Sequence, residues 1–167
     1  MRYEIRQAGQ NDLQTVLTIT HETIRAVYPH YYPAGAVAFF LCHHNPAAVE
    51  RDIAENLVYL CISADGQAVG TVTVKENDIG RLFVLPEYQG HGYGGALLRY
   101  AEQLIGEQYD EAVLGASFAA KAIYLRHGWQ ETGSRLSRAK TEIICAMIRC
   151  GNSCACRSMR TEGQYDT

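Results

Sequence analysis

No apolar run in this 167-residue sequence approaches the roughly 18–20 residues that a membrane-spanning helix requires, which argues against a helical membrane protein. A surplus of positive charge is missing too: fifteen Lys and Arg stand against eighteen Asp and Glu, a formal net charge of -3. The whole-chain field therefore offers no pull towards polyanions or anionic lipid, and neither nucleic acid nor a membrane is expected as the main partner. The opening Met1–Gln7 has neither a basic patch nor an apolar h-region, so no secretory signal is expected there. A disulfide framework is also not expected. Of six cysteines, Cys42, Cys61 and Cys145 sit in apolar stretches where a reduced thiol packs as a small hydrophobe, which suits the cytoplasm. Cys150, Cys154 and Cys156 follow a C-x3-C-x-C spacing that matches no common zinc pattern, and His43-His44 lacks a third ligand nearby, so no metal is expected.

What is present is one domain's worth of core. Apolar residues make up 47% and charged residues 20%, close to the average for globular chains. Tyr3–Gln7 alternates as a strand, and Asn11 offers an N-cap to a helix over Asp12–Tyr28. Pro29 and Pro33 break it, and Ala36–Cys42 and Pro46–Glu55 follow as shorter helices. Leu57–Ile62 and Ala68–Lys75 flank Asp65-Gly66 as a hairpin, a turn at Glu76–Asp78 leads to Ile79–Leu85, and the three strands form an antiparallel meander. A helix from about Ala96, a strand over Ala112–Ala116 buried on both faces, and a helix over Ala119–His127 stopped by Gly128 complete the middle of the chain. Trp129–Leu136 and Glu142–Arg149 can pair as a closing hairpin. The domain is expected to span residues 1–149, with 150–167 a polar, disordered tail.

The most informative stretch runs from Leu82 through Pro86-Glu87-Tyr88-Gln89-Gly90-His91-Gly92-Tyr93-Gly94-Gly95. An apolar strand delivers the chain into four glycines within six positions that open a helix, leaving bare N–H groups along the positive end of its dipole. That is an anion site, most naturally for phosphate. Gly90-x-Gly92-x-x-Gly95 fits a dinucleotide fingerprint only in part: four residues separate the strand from the first glycine, and no acidic residue ends the next strand roughly 20 residues on. The register Gln89-x-x-Gly92-x-Gly94 instead resembles the pyrophosphate loop of the GNAT superfamily of acyl-CoA-dependent N-acetyltransferases. Ala120-x-x-x-Tyr124-Leu125-x-x-Gly128-Trp129 is similar to that family's second signature, and the order of elements matches as well.

The resemblance implies an α/β (α+β) fold, with a mixed, mostly antiparallel central sheet of six to seven strands flanked by helices and splayed between the fourth and fifth. It implies acetyl-CoA as cosubstrate, its pantetheine arm paired with the backbone of Leu82, Phe83 and Val84 as an added strand. The N–H groups of Gly90, His91, Gly92, Tyr93, Gly94 and Gly95 would hold the pyrophosphate, with the Gln89 side chain capping the loop. Ser117 stands where the family usually has an Asn that contacts the pantetheine. Tyr124 would be the catalytic acid: a thiol titrates near about 8.5 and a phenol near about 10, so a neutral tyrosine beside the sulfur is a fully populated donor.

The acceptor is expected to be a small-molecule amine or a protein amino group. Asp78, Glu76, the histidines of the helical insert, His21, His30, His43 and His44, and water are candidates for a base, although a polar β-turn accounts better for the two acids. The aromatic stretch Tyr28-Pro29-His30-Tyr31-Tyr32-Pro33 is either an acceptor wall or a hydrophobic plug. A noncatalytic acyl-CoA-binding module is the alternative function, and a homodimer is compatible with the sequence.

Overall fold

A computed structural model describes residues 2–130 of the chain. The expected closing hairpin beyond Gln130, the boundary at residue 149, the tail, and Cys145, Cys150, Cys154 and Cys156 lie outside the described residues.

Strand β1 (Tyr3–Gln7) is followed by helices α1 (Leu13–Val27), α2 (Ala34–His43) and α3 (Pro46–Ala54). The meander β2 (Val58–Ser63), β3 (Ala68–Lys75) and β4 (Asp78–Val84) comes next, then α4 (Tyr93–Gly106), β5 (Val113–Leu114) and α5 (Phe118–Arg126). The strands lie in the order β1-β2-β3-β4-β5, every neighbouring pair antiparallel except β4 and β5. Five strands are present among the described residues, against the six to seven expected with the hairpin included.

Local chemistry accounts for most of these boundaries. Gly66 takes φ 79° as the last residue of a three-residue loop closed by the Gly66 N–H to the Ser63 carbonyl at 3.0 Å and the Ser63 N–H to the Gln67 carbonyl at 2.8 Å, the left-handed position such a hairpin gives to glycine. Helix α3 begins where Asn45 accepts the N–H of Ala48 at 3.0 Å and Pro46 fills the first turn. The cap expected of Asn11 is not made. Gln10–Asp12 form a turn of 3-10 helix instead, and the Asp12 carboxylate takes the Gly9 N–H at 2.8 Å. The bidentate Arg6 guanidinium, 2.8 Å away on both nitrogens, holds that carboxyl below its ordinary range.

One part of the core lies between α4 and the sheet, and Val16, Ile19 and Ile24 of α1 with Val49 and Ile53 of α3 are buried as well. Leu97, Leu98, Ala101 and Ile105 of α4 pack with Val69, Val72, Val74, Ile79 and Cys61. Gly70 permits this closeness: a Cβ there would fall 2.9 Å from Leu97 Cδ1 and 3.0 Å from the Phe83 carbonyl. Cys61 is fully buried, and burial pushes its thiol up to about 11, so it packs as the small hydrophobe expected and is chemically quiet.

The fifth strand departs from expectation. Ala112–Ala116 reads as a strand buried on both faces, but only Val113 and Leu114 pair, with Asp78 and Ile79, and Val113 is 39% exposed. The physical reason is the splay itself. β5 touches only the first residues of β4, so the rest of β4 has no strand beside it on that side among the described residues.

Candidate active site

The register of β4 decides which of its groups face that opening. Phe83 lies opposite Thr71, and the Leu85 N–H reaches the Val69 carbonyl at 2.9 Å. By the alternation of an antiparallel ladder, Phe83 turns its main-chain groups to β3 while Leu82 and Val84 turn theirs to the open side. The Val84 carbonyl is already occupied, accepting from Gln89 Nε2 at 2.9 Å and lying 3.0 Å from the Thr23 hydroxyl. Gln89 thus ties the glycine loop to the end of the strand that precedes it.

After one 3-10 turn at Pro86–Tyr88 the loop enters α4 through Gly92, whose φ of 85° is open to glycine at little cost. The first intrahelical bond runs from the Ala96 N–H to the Gly92 carbonyl at 3.0 Å, so the N–H groups of Tyr93, Gly94 and Gly95 come before any intrahelical partner. At Gly94 the chain's own packing makes no demand for glycine: a Cβ would rest 3.8 Å from Val84 Cγ2, an ordinary contact.

Loop, strand and α5 surround a cleft of about 400 Å³. Of the candidates, Leu82, Phe83, Val84, Gln89, Gly90, Gly92, Gly94, Gly95, Ser117 and Tyr124 all line it. His91 and Tyr93 do not. His91 is exposed with Nδ1 2.9 Å from the Gln89 carbonyl, and the Tyr93 ring lies in the core near Tyr88, leaving only its backbone at the loop.

Tyr124 sits on α5 with its ring 6.2 Å from that of Trp129. Burial pushes its phenol up to about 12, with a smaller push from Tyr28. A phenol so placed is neutral throughout the working range of proteins.

The base candidates do not gather at the cleft. Glu76 and Asp78 belong to the β3–β4 turn and the first position of β4, and Asp78 is raised from its ordinary value by partial burial. His44 is held well below the ordinary histidine range by burial and then by Arg81, whose Nε donates to its Nδ1 at 3.3 Å. That guanidinium is also 2.7 Å from Asp52 and 3.0 Å from the Thr73 hydroxyl, while His21 Nε2 lies 2.8 Å from the His44 carbonyl. His43 is lowered chiefly by burial, and His30 is exposed. His44, through Arg81 and against Phe83, braces the insert on the sheet, and His21 ties α1 to the insert.

The aromatic stretch divides. Tyr31 is exposed, whereas Tyr28 and Tyr32 are buried against Phe40 at 4.8 and 5.1 Å between ring centroids, as a plug would be. Tyr28 also lines the cleft. Thr23, Arg126 and His127 line it too, without having been singled out. Arg126 and His127 fall in the unspecified positions between Tyr124 and Gly128; Thr23 shares a helix face with Ile19 and Val27, and that spacing was its only signal.

A mixed sheet opened beside its fourth strand, with a glycine loop and a tyrosine helix closing one cleft, is the arrangement expected of the GNAT family that the two signatures resemble. The family model described as "Acetyltransferase (GNAT) domain" matches residues 27–144, and the chain belongs to that family. Three solved structures share the fold. The PaiA N-acetyltransferase of Thermoplasma acidophilum, solved with coenzyme A, is 20% identical with a TM-score of 0.63, over 79% of this chain and 92% of that one. A GCN5-related N-acetyltransferase of Rhodopseudomonas palustris is 19% identical with a TM-score of 0.73, over 80% and 84%. One from Ralstonia eutropha is 21% identical with a TM-score of 0.60, over 78% and 94%. No curated protein matches the sequence. No helix among the described residues is long and apolar enough to cross a membrane.

Proposed function

We propose that this protein moves the acetyl group of acetyl-CoA to a primary amine, of a small molecule or a protein, by direct attack within a ternary complex in the cytoplasm. The observation that carries the reading is the single cleft joining the unpartnered N–H groups at the start of α4, the open edge of β4 and the Tyr124 phenol. The helix start suits the pyrophosphate, and the Leu82 and Val84 edge suits the amides of the pantetheine arm. No metal takes part in this reading.

The amine lone pair attacks the thioester carbonyl, the C–S bond breaks, and the Tyr124 O–H donates to the departing sulfur. Full transfer from a phenol at about 12 to a thiolate at about 8.5 is uphill, so the Tyr124 proton passes to sulfur as the proton lost by the acylated nitrogen returns to the Tyr124 oxygen, directly or through water. Glu76 and Asp78 lie at the far end of β4 from the cleft, so deprotonation of the incoming ammonium is assigned to solvent. Thiol release from acetyl-CoA across polyamines, amino acids, aminoglycosides, arylamines and N-terminal peptides tests the proposal. Amine-dependent release is expected; binding of acetyl-CoA with no release over the whole panel would leave a noncatalytic binding module.

A further inference from the structure

Strand β4 changes phase on its way to the cleft. The Val113 N–H reaches the Asn77 carbonyl at 2.8 Å, which puts the main-chain groups of Asn77, and by alternation those of Ile79, on the β5 side. The Leu85 N–H reaches the Val69 carbonyl of β3 at 2.9 Å, so Phe83 and Leu85 face the opposite way. The switch lies where the register with β3 shifts: Thr73 pairs with Gly80 and Thr71 with Phe83, which leaves Arg81 and Leu82 together opposite Val72. That is a β-bulge, and it follows directly on Asp78 and Ile79, the residues that pair with β5. Without the extra residue, Phe83 in place of Leu82 and Val84 would turn its main-chain groups to the open edge.

The bulge has its left-handed residue at Arg81, with φ 43°. Glycine takes such backbone at little cost and Gly80 stands next to it, yet the left-handed position falls on the arginine. What Arg81 has and glycine lacks is a guanidinium, and its whole fork is engaged. Nη2 lies 2.7 Å from the Asp52 carboxylate of α3, Nη1 donates to the Thr73 hydroxyl of β3 at 3.0 Å, and Nε donates to His44 Nδ1 at the end of α2 at 3.3 Å. The side chain is 7% exposed, and the His44 ring is itself packed edge-on to Phe83 at 5.5 Å. Moving the guanidinium out of this clamp would strand a desolvated carboxylate, so the clamp holds the backbone against its strain.

We infer that Arg81 is a positioning residue: clamped by Asp52, Thr73 and His44, it holds the bulge and thereby sets which main-chain groups of β4 meet the cosubstrate's arm. This rests on the reading of the cleft as an acyl-CoA site. Neither Arg81 nor any of its three partners lines the cleft, so the effect reaches the cosubstrate through the β4 backbone.

Arg81→Ala and Arg81→Gly differ by one methyl group and both lack the guanidinium, so a role in packing alone makes the glycine variant the equal or the worse of the two. Holding of the bulge predicts the reverse order, because glycine keeps the left-handed backbone unaided. In titration calorimetry Arg81→Ala should weaken acetyl-CoA about 5- to 30-fold, the factor by which a residue with a Cβ resists that backbone, while Arg81→Gly stays within about threefold of wild type. The adenosine bisphosphate fragment, which lacks the arm, should bind all three proteins alike. Asp52→Asn, which weakens the clamp and leaves the backbone of β4 untouched, should shift acetyl-CoA in the direction of Arg81→Ala, and should add nothing in the Arg81→Gly background. Equal affinities of the alanine and glycine variants, a weaker glycine variant, or weakening of the fragment in step with acetyl-CoA would each overturn the assignment. If Arg81→Ala does not fold, Asp52→Asn decides: weaker acetyl-CoA with an unchanged fragment supports the clamp, and wild-type affinity for both overturns it. A wild type that binds no acetyl-CoA would instead overturn the transferase reading itself, and this one with it.

Discussion

Replacing Tyr124 by phenylalanine removes one oxygen and keeps the ring 6.2 Å from Trp129. The hydroxyl is half-buried beside a cleft whose facing strand offers main-chain groups, so its loss should cost catalysis rather than folding. If the O–H donates as the C–S bond breaks, the interaction exists in the transition state and hardly at all in the ground state, where the sulfur is neutral. The expected fall in kcat is then the worth of a positioned acid, roughly 10²–10⁴-fold, about 3–5.5 kcal/mol, with acetyl-CoA affinity retained. Placement at about 12 adds a second expectation: wild-type kcat should show no alkaline loss assignable to this group below the point where the phenol ionises, well beyond pH 10. Steady-state turnover by thiol release, with calorimetric affinity measured in parallel, reads both halves. Lost affinity at unchanged kcat would make Tyr124 a clamp on the cosubstrate, and no change in either would refute any role for its hydroxyl.

Gly94→Val should abolish acetyl-CoA binding while the melting temperature stays close to wild type, because the first added atom meets only Val84 at 3.8 Å and projects beside a bare N–H; a folded variant of normal affinity would refute the phosphate site. The Thr20 hydroxyl is fully buried with no hydrogen-bond partner, so Thr20→Val should stabilise the fold by about 1 kcal/mol in denaturant titration, and a loss of stability would mean that the hydroxyl is paired. His44 and His43 have folded values below the ordinary 6.5, so the unfolded chain takes up more protons once pH drops below that point. Stability should therefore fall on acidification from about pH 6.5, by at most about 1.4 kcal/mol per pH unit per histidine, and His44→Gln should flatten the slope. A flat wild-type profile between pH 6.5 and 5 would contradict the buried, neutral assignment.

Legibility in the sequence follows the range of the interaction that fixes each feature. The Asp65-Gly66 turn, the break at Pro29 and the glycines of the loop are dictated within a few residues, and each was read where the structure has it. Hydrophobic patterning and turn signals were enough for the element order, because each reports spacing within a single element. The N-terminus of α1 failed for a nonlocal reason: Asp12 is drawn to Arg6 on β1, and a cap read from Asn11 alone does not see that carboxylate. Strand β5 failed because its apolar run reports what covers it, and not how many residues pair.

The same argument reaches the site. The Phe118 N–H, the first of α5, is taken by the phenol of Tyr32, in the insert, on a stretch that read as wall or plug. The insert's aromatics are thus both core and site. Tyr32 closes the start of α5, Tyr28 completes the cleft that α5 lines, and the stack on Phe40 holds the two at fixed spacing. The insert therefore meets the cleft through Tyr28 and the start of α5 through Tyr32, long-range contacts that neither signature contains.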